Sequence, residues 1–518
     1  MSREFAQRYG ELTNQEWEFP CQQDESLKNE GFKIASGTII YKDVSGLRNA
    51  INYLNRKQVD INNINQEESP EFRIRGVIEG FYGKPWSHNQ RQKGLKHFAK
   101  YNMNSFVLAP KDDPWQRFDW RTKFNENFLQ STKELVELAR DLVIELSVCV
   151  SPGLTIRYSS DEDIESLLVR YRQLADIGVT RFGLLFDDIP WSLQFPEDQA
   201  KFKNIAAAHA HLANEVLRKL AEEISGASLF VCPLQYHGRG NEPYISEFGQ
   251  SLDAGIDLMW TGRQICSEYL DIFDADKFYE GTAKRPLYWD NFPVNDVAMI
   301  HQLHIGPIQK REVGLGGHAR GLLANPMEHF ESSLIPIATI GDYLWNSKTY
   351  NAEKSWDSAL SQVLPNSEDR EAIRHLFRNC FESCLAVDPA PEFNSLLGAA
   401  TLAWRTGNPS EAAAQLESHA NAIESNYQRI ESSNFTWPEI NREISRWLRK
   451  YRDVGQALLK VAEILRASQF SDGRIRGSVE LANQVREIRN SLAKDPTRIF
   501  GDGLDLTLGE LATELSAA

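Results

Sequence analysis

The sequence predicts an α/β protein: a (β/α)8 TIM barrel with a short N-terminal α/β segment before it and a C-terminal α-helical bundle domain after it. Three observations carry that prediction. Eight short apolar runs alternate with eight amphipathic stretches over roughly 270 residues, the size of one such barrel. Polar residues follow nearly every run, as they do where an active site rings the carboxyl ends of barrel strands. Beyond about Trp345 the alternation stops and only helical periodicity continues. The expected boundaries are therefore 1–72, 73–344 and 345–518.

Residues 1–72 are the least regular part. Gly37-Thr-Ile-Ile-Tyr41 reads as a strand, Leu47, Ile51 and Leu54 recur at helical spacing, and 62–70 reads as a polar linker. Strand-like runs then occupy 73–81, 105–109, 146–150, 182–186, 229–234, 257–260, 286–289 and 319–323. Helical stretches are expected at 90–101, 128–142, 164–177, 202–224, 244–254, 268–278, 294–303 and 327–344. A doubly wound open sheet is the rival arrangement, but it gathers its polar strand ends at one switch point. Here Gly80-Phe-Tyr82, Lys111-Asp-Asp113, Ser151-Pro152, Asp187-Asp188, Tyr236-His237, Thr261-Gly262, Asp290-Asn291 and Asn325-Pro326 are spread over all eight runs. In the last third, apolar stripes run through 373–385, 397–404, 413–430, 440–465 and 479–492, which predicts a helical bundle.

Composition narrows the function classes. The 518 residues carry a net charge of −15, with 42% hydrophobic and 25% charged residues, which is ordinary for a globular protein. An acidic chain is a poor partner for nucleic acid or for an anionic membrane, both of which need a basic surface. The first 20 residues include Glu11, Glu16 and Glu18 and no apolar core of a secretory signal. No run reaches the ~20 apolar residues of a spanning helix, so a cytoplasmic protein is expected. Cys21, Cys149, Cys232, Cys266, Cys380 and Cys384 contain no Cys-x-x-Cys and read as free thiols, the last two on one helix.

Several motifs point to no cofactor. Gly314-Leu-Gly316-Gly-His-Ala319 precedes an apolar run instead of following one, so it reads as a turn and not as a dinucleotide site. His301 and His304 have no further ligand at metal spacing, and no metal is expected. A nucleophile elbow and a phosphate-binding loop are both absent from the sequence. A cofactor-free hydrolase remains.

Two acidic pairs compete for the chemistry. Asp112-Asp113 precedes Pro114 in a polar turn and reads as capping. Asp187-Asp188 ends the apolar run Phe182-Gly-Leu-Leu-Phe186, and a buried strand delivers acids to a pocket in this way. Strand alternation sends neighbours to opposite faces, so both acids line one pocket only if the strand ends in a twist or bulge. Adjacent carboxyls suit glycoside hydrolysis of the substrate-assisted kind, in which the sugar's 2-acetamido oxygen attacks and one carboxylate polarises the amide. Phe81-Tyr82, Tyr236, Trp260 and Tyr288-Trp289 would wall a sugar ring and an acetyl methyl.

Arg75-Gly-Val-Ile-Glu-Gly-Phe-Tyr-Gly83 with Pro85-Trp86, Leu108-Ala-Pro-Lys-Asp-Asp-Pro114, Phe186-Asp-Asp188, Tyr288-Trp-Asp-Asn291 and Asp296 together resemble glycoside hydrolase family 84. This is the family of O-GlcNAcase and its bacterial β-N-acetylglucosaminidase relatives. The resemblance covers the whole barrel in order; the front of the chain, about 70 residues, is short for the family's N-terminal domain. It implies that Asp187 accepts the acetamido N–H while an oxazoline forms, and that Asp188 protonates the glycosidic oxygen and later deprotonates water. It implies further that Tyr236 bonds the acetamido oxygen, that Trp289 and Cys232 line the acetyl pocket, and that Gly80, Lys111, Asn291, Asp296 and Asn325 hold the sugar hydroxyls. The implied substrate is an N-acetylglucosamine-containing glycoside or an O-GlcNAc protein. Hyaluronan or chitin fragments, or mere glycan or peptide binding by an inactive scaffold, are the alternatives. The helical domain is left open between a peptide groove, a homodimer interface and a buttress.

Overall fold

In the computed structural model, which describes residues 2–471 and 473–516, the apolar runs become strands buried on both faces. The chain opens with α1 (Ser2–Thr13), β1 (Cys21–Gln23), β2 (Phe32–Ala35), β3 (Thr38–Tyr41), α2 (Val44–Lys57) and β4 (Gln66–Glu68). These four strands form one small sheet in the order β1-β3-β2-β4. The stretch read as a polar linker therefore contains an edge strand, whose pairing with β2 comes from backbone hydrogen bonds that carry no hydrophobic signature.

The barrel follows. Its strands are β5 (Ile74–Glu79), β6 (Ser105–Leu108), β7 (Glu145–Val150), β8 (Arg181–Leu185), β9 (Ser228–Cys232), β10 (Ile256–Trp260), β11 (Pro286–Asp290) and β12 (Gly321–Ala324). They are parallel and close in sequence order, β12 pairing back onto β5. Around them run α3 (His88–Lys100), α4 (Pro114–Arg117), α5 (Glu126–Asp141), α6 (Asp161–Asp176), α7 (Pro196–Lys201), α8 (Ile205–Glu223), α9 (Pro243–Ser251), α10 (Ile272–Thr282) and α11 (Phe330–Trp345). The expected helix at 294–303 does not form; a single 3₁₀ turn, Val297–Met299, stands there. The expected helix at 202–224 forms as α8 and begins three residues later, at Ile205, where the Asn204 side chain caps it by accepting from Ala207 N. The glycine-rich stretch before β12 is a 3₁₀ turn, Leu315–Gly317, as its position predicted.

The barrel interior is solid. Ile78, Val107, Cys149, Leu185, Phe230, Cys232, Met259, Leu287, Trp289 and Leu323 pack into one buried cluster. A Cβ on Gly183 would lie 2.3 Å from Cys149 Sγ and 2.7 Å from Phe230 Cζ, so the missing side chain is the space the Phe230 ring fills. At the amino ends of the strands, the fully buried Arg48 of α2 donates to the carbonyls of Met103, Leu142 and Val143, just ahead of β6 and β7. Arg75 of β5 pairs with Glu30 at 2.5 Å. The small sheet and its helix thus close the barrel's floor.

The chain forms two compact units: 1–294 with 308–330 and 337–355, and 295–307 with 331–336 and 356–518. The second is built from α12 (Ala352–Val363), α13 (Ser367–Phe377), α14 (Pro391–Arg405), α15 (Pro409–Glu431), α16 (Pro438–Ala467), α17 (Val479–Ala493) and α18 (Gly503–Ser516), with a hairpin of β13 (Gln469–Ser471) and β14 (Arg474–Arg476). The hairpin is absent from the helices-only expectation. Cys380 and Cys384 also fall outside any helix, because α13 ends at Phe377 and the chain turns there, Phe381 N bonding to Pro389 O. No helix among the described residues is long and apolar enough to cross a membrane.

Within the second unit, Glu443 of α16 accepts from the backbone N–H groups of Glu331 and Ser332 in the first turn of α11. Burial pushes the Glu443 carboxyl up to about 7, the backbone donors opposing it. The unfolded carboxyl titrates near 4.5, so between the two values the folded state binds more protons and stability falls as pH rises. Melting followed by circular dichroism should show this decline between about pH 4.5 and 7, and Glu443→Gln should flatten it. An unchanged slope in the variant would remove Glu443 as its source.

Candidate active site

Alternation along the barrel strands decides which side chains meet. In the buried cluster the inward residues include Ile78, Val107, Leu185, Cys232, Leu287, Trp289 and Leu323. Counting on from these by twos gives Gly80, Lys111, Asp187, Tyr236, Asn291 and Asn325. The predicted site residues of the barrel therefore share one register and converge at the carboxyl ends of the strands. Asp188 alone breaks it.

Asp187 is 5% exposed. The Lys111 ammonium, also buried, forms an ion pair with Asp187 Oδ2. Burial works against the lysine's charge, but the adjoining carboxylate outweighs it and raises the Lys111 pKa. The second oxygen of Asp187, Oδ1, is buried with no hydrogen-bond partner. A buried carboxylate oxygen left in this state costs free energy, which is the mark of a group held ready for a donor.

Asp188 has φ +57°, in the left-handed region. That conformation re-aims a side chain that alternation would turn outward, and Asp tolerates it better than most residues. Asp188 Oδ2 accepts from Tyr82 Oη at 2.7 Å and Oδ1 from Tyr236 Oη at 3.1 Å. Its carbonyl accepts from Arg117 Nη2 at 2.6 Å, and Arg117 Nη1 donates to Tyr82 Oη at 3.3 Å. Burial first, then the two aspartates, push the Tyr236 hydroxyl pKa far up, so Tyr236 stays a donor. Tyr82 shifts the same way, through burial and its bond to Asp188.

On the opposite wall, Trp289 Nε1 donates to Asn291 Oδ1 at 2.9 Å, and Asn325 Nδ2 donates to the same oxygen at 2.9 Å. Asn325 Oδ1 accepts from Gly80 N at 3.2 Å. Asn291 Nδ2 reaches Ile265 O at 2.8 Å. The Lys111 ammonium stands 5.2 Å from the Trp289 ring centroid, which ties this wall to the acids. Cys232 packs with Trp289 and Leu185, and Tyr236 lies against the same cluster. Burial, with Asp187 next, drives the Cys232 thiol pKa well up and leaves it an inert lining group.

Nine of the ten predicted site residues thus lie in the barrel unit. Asp296 belongs to the other unit, at the head of the Val297–Met299 turn. Asp112 and Asp113 cap and close turns as expected, accepting from Gly83 N and Trp115 N. Sequence reasoning missed Arg117 and the hydroxyl role of Tyr82. Tyr82 had a signal, since it lies two residues beyond Gly80 in the inward register; Arg117, on a four-residue helix, had none.

A Cβ on Gly80 would lie 2.3 Å from Trp289 Cζ2. Gly80→Ala should therefore swing the indole, break its bond to Asn291 and weaken binding of an N-acetylglucosamine-derived inhibitor about 10-fold or more, by calorimetry. Undiminished affinity would mean that Trp289 does not form the pocket wall.

The family model NAGidase, beta-N-acetylglucosaminidase, matches residues 75–378, more than half of the chain. Protein O-GlcNAcase of Rattus norvegicus and of Mus musculus are each 30% identical over 300 residues, 57% of this chain and 31% of the relative. The chain thus matches less than a third of the length of these relatives. Among solved structures, a mutant of the Thermobaculum terrenum O-GlcNAc hydrolase superposes with a TM-score of 0.77 at 31% identity, covering 85% of this chain and 95% of that one. The protein CpGH84B gives a TM-score of 0.80 at 25% identity, over 95% of this chain and 87% of its own. With the family model spanning the strands that carry the paired aspartates, the chain belongs to the beta-N-acetylglucosaminidase family, glycoside hydrolase family 84.

Proposed function

We propose that this protein is a retaining exo-β-N-acetylglucosaminidase acting by neighbouring-group participation, and that it removes O-GlcNAc from Ser or Thr of proteins. The observation that carries the reading is the state of Asp187: one oxygen fixed by Lys111, the other buried and unpartnered. That free oxygen suits an incoming acetamido N–H. Fixed by a cation from below, the carboxylate needs no reorganisation as the amide gains positive character.

In the first step the acetamido oxygen attacks C1 and the C1–O bond to the aglycone breaks. Asp188 gives its proton to the departing oxygen and Asp187 holds the N–H of the oxazolinium ion. In the second, a water loses a proton to Asp188 and attacks C1, reopening the ring with retained configuration. Tyr236, next to Asp188, turns its hydroxyl to the acetamido oxygen, and Trp289 with Cys232 receives the methyl. Gly80, Lys111, Asn291 and Asn325 line the sugar's hydroxyl face.

Release of an aryl alcohol from its β-N-acetylglucosaminide by the purified protein tests the activity, and no turnover by folded protein would favour a binding role. Asp188→Asn should slow glycosides with poor leaving groups at least about 100-fold and activated ones far less, because only the former need a proton. Equal losses would take Asp188 out of the acid role. Glycopeptide, chito-oligosaccharide and hyaluronan fragments assayed side by side identify the aglycone, with glycopeptide expected to be cleaved fastest.

A further inference from the structure

We propose that Arg117 is the positioning residue of the Asp188 acid, and that the loop after β6 fixes the two carboxylates by unlike means to give them unlike tasks. The inference rests on the reading of Asp188 as the proton donor. The segment 111–117 supplies two cations to the acidic pair. Lys111 places its charge directly on the Asp187 carboxylate. Arg117, 9% exposed, forms its bonds to the Asp188 carbonyl at 2.6 Å and to Tyr82 Oη at 3.3 Å, so it reaches the Asp188 carboxyl only through the tyrosine, whose hydroxyl donates to Oδ2 at 2.7 Å.

The geometry has a physical logic. An acid that must give up and regain a proton needs a fixed position but no cation on its carboxyl, since a direct ion pair favours the charged form throughout. The left-handed φ of Asp188 is a conformation that the surroundings must hold. Arg117 holds it from the carbonyl side, while its second nitrogen orients the hydroxyl that orients the carboxyl. A planar fork reaches both acceptors at once, and a lysine ammonium does not reproduce that span. The arginine is itself held by α4, a single turn that begins with Pro114 and is capped by Asp113.

The test uses Arg117→Lys, which keeps the charge and loses the fork, and Arg117→Ala, which loses both, in the full-length protein. For Arg117→Ala, kcat/KM on a phenyl β-N-acetylglucosaminide should fall about 10- to 100-fold, and on the 2,4-dinitrophenyl glycoside less than about 3-fold. Arg117→Lys should show the same pattern, weaker in degree, with an unchanged melting curve. Affinity for a thiazoline mimic of the oxazoline, which engages Asp187, should stay within about 3-fold for both. Tyr82→Phe should repeat the leaving-group pattern and combine non-additively with Arg117→Ala. Equal losses on both glycosides, full rescue by lysine, or additive losses would reduce Arg117 to a structural brace and overturn the proposal. Wild-type protein inactive on both glycosides would instead overturn the reading of the activity itself. Should Arg117→Ala fail to fold, the lysine variant still decides.

Discussion

The buried ion pair between Lys111 and Asp187 is the constraint around which the barrel mouth is arranged. The partners come from β6 and β8, with β7 between them. On its inward register β7 offers the small residues Ser147 and Cys149 and, past its end, Ser151. Bulkier residues there would stand between the ammonium and the carboxylate. Removing either partner would leave a bare charge in a closed space, which costs far more than the pair itself contributes. The packing below it is correspondingly tight, down to the Phe230 ring that takes up the place of a side chain at Gly183.

Adjacent strand-end residues serve different masters in two places. At the tip of β8, Asp187 keeps the inward register and Asp188 is turned by its backbone. At the tip of β11, Asp290 faces outward and is gripped by both arms of Arg311, at 2.7 and 2.8 Å, with neither partner reached by solvent. Arg311 also donates to the carbonyls of Ser267 and Glu268. Asn291, one residue on, faces the pocket and holds Ile265 O of the same loop. The loop after β10 is thus fastened from both sides of one strand tip.

The barrel was legible because eight buried parallel strands leave an apolar signature that water enforces, and because polar residues follow nearly every one of those runs. The pair Asp187-Asp188 stood out at the end of such a run, whereas Gly80, Lys111, Trp289, Asn291 and Asn325 were singled out by the resemblance to glycoside hydrolase family 84. What could not be read shares a different cause. The strand β4 and the hairpin of β13 and β14 are held by backbone hydrogen bonds, which no side-chain pattern reports. The helix expected at 294–303 has the right apolar spacing yet yields to a single 3₁₀ turn, and the stripe through Cys380 and Cys384 runs on past the end of α13. Apolar spacing marks burial before it marks helix. Arg117 was invisible since its partners are the Asp188 carbonyl and the Tyr82 hydroxyl, in loops far away in sequence.

The backbone at position 188 also limits which acid can stand there. Short side chains that bond locally, Asp and Asn, tolerate the left-handed region, whereas a longer Glu gains nothing from it. The proposed proton donor is in this sense chosen by the turn before it is chosen by the chemistry. A single change to Asn keeps the turn, while its one amide oxygen accepts from only one of the two tyrosines and its NH2 group must donate to the other. The proposed acid is therefore one nucleotide change away from a residue that keeps the turn and carries no acidic proton.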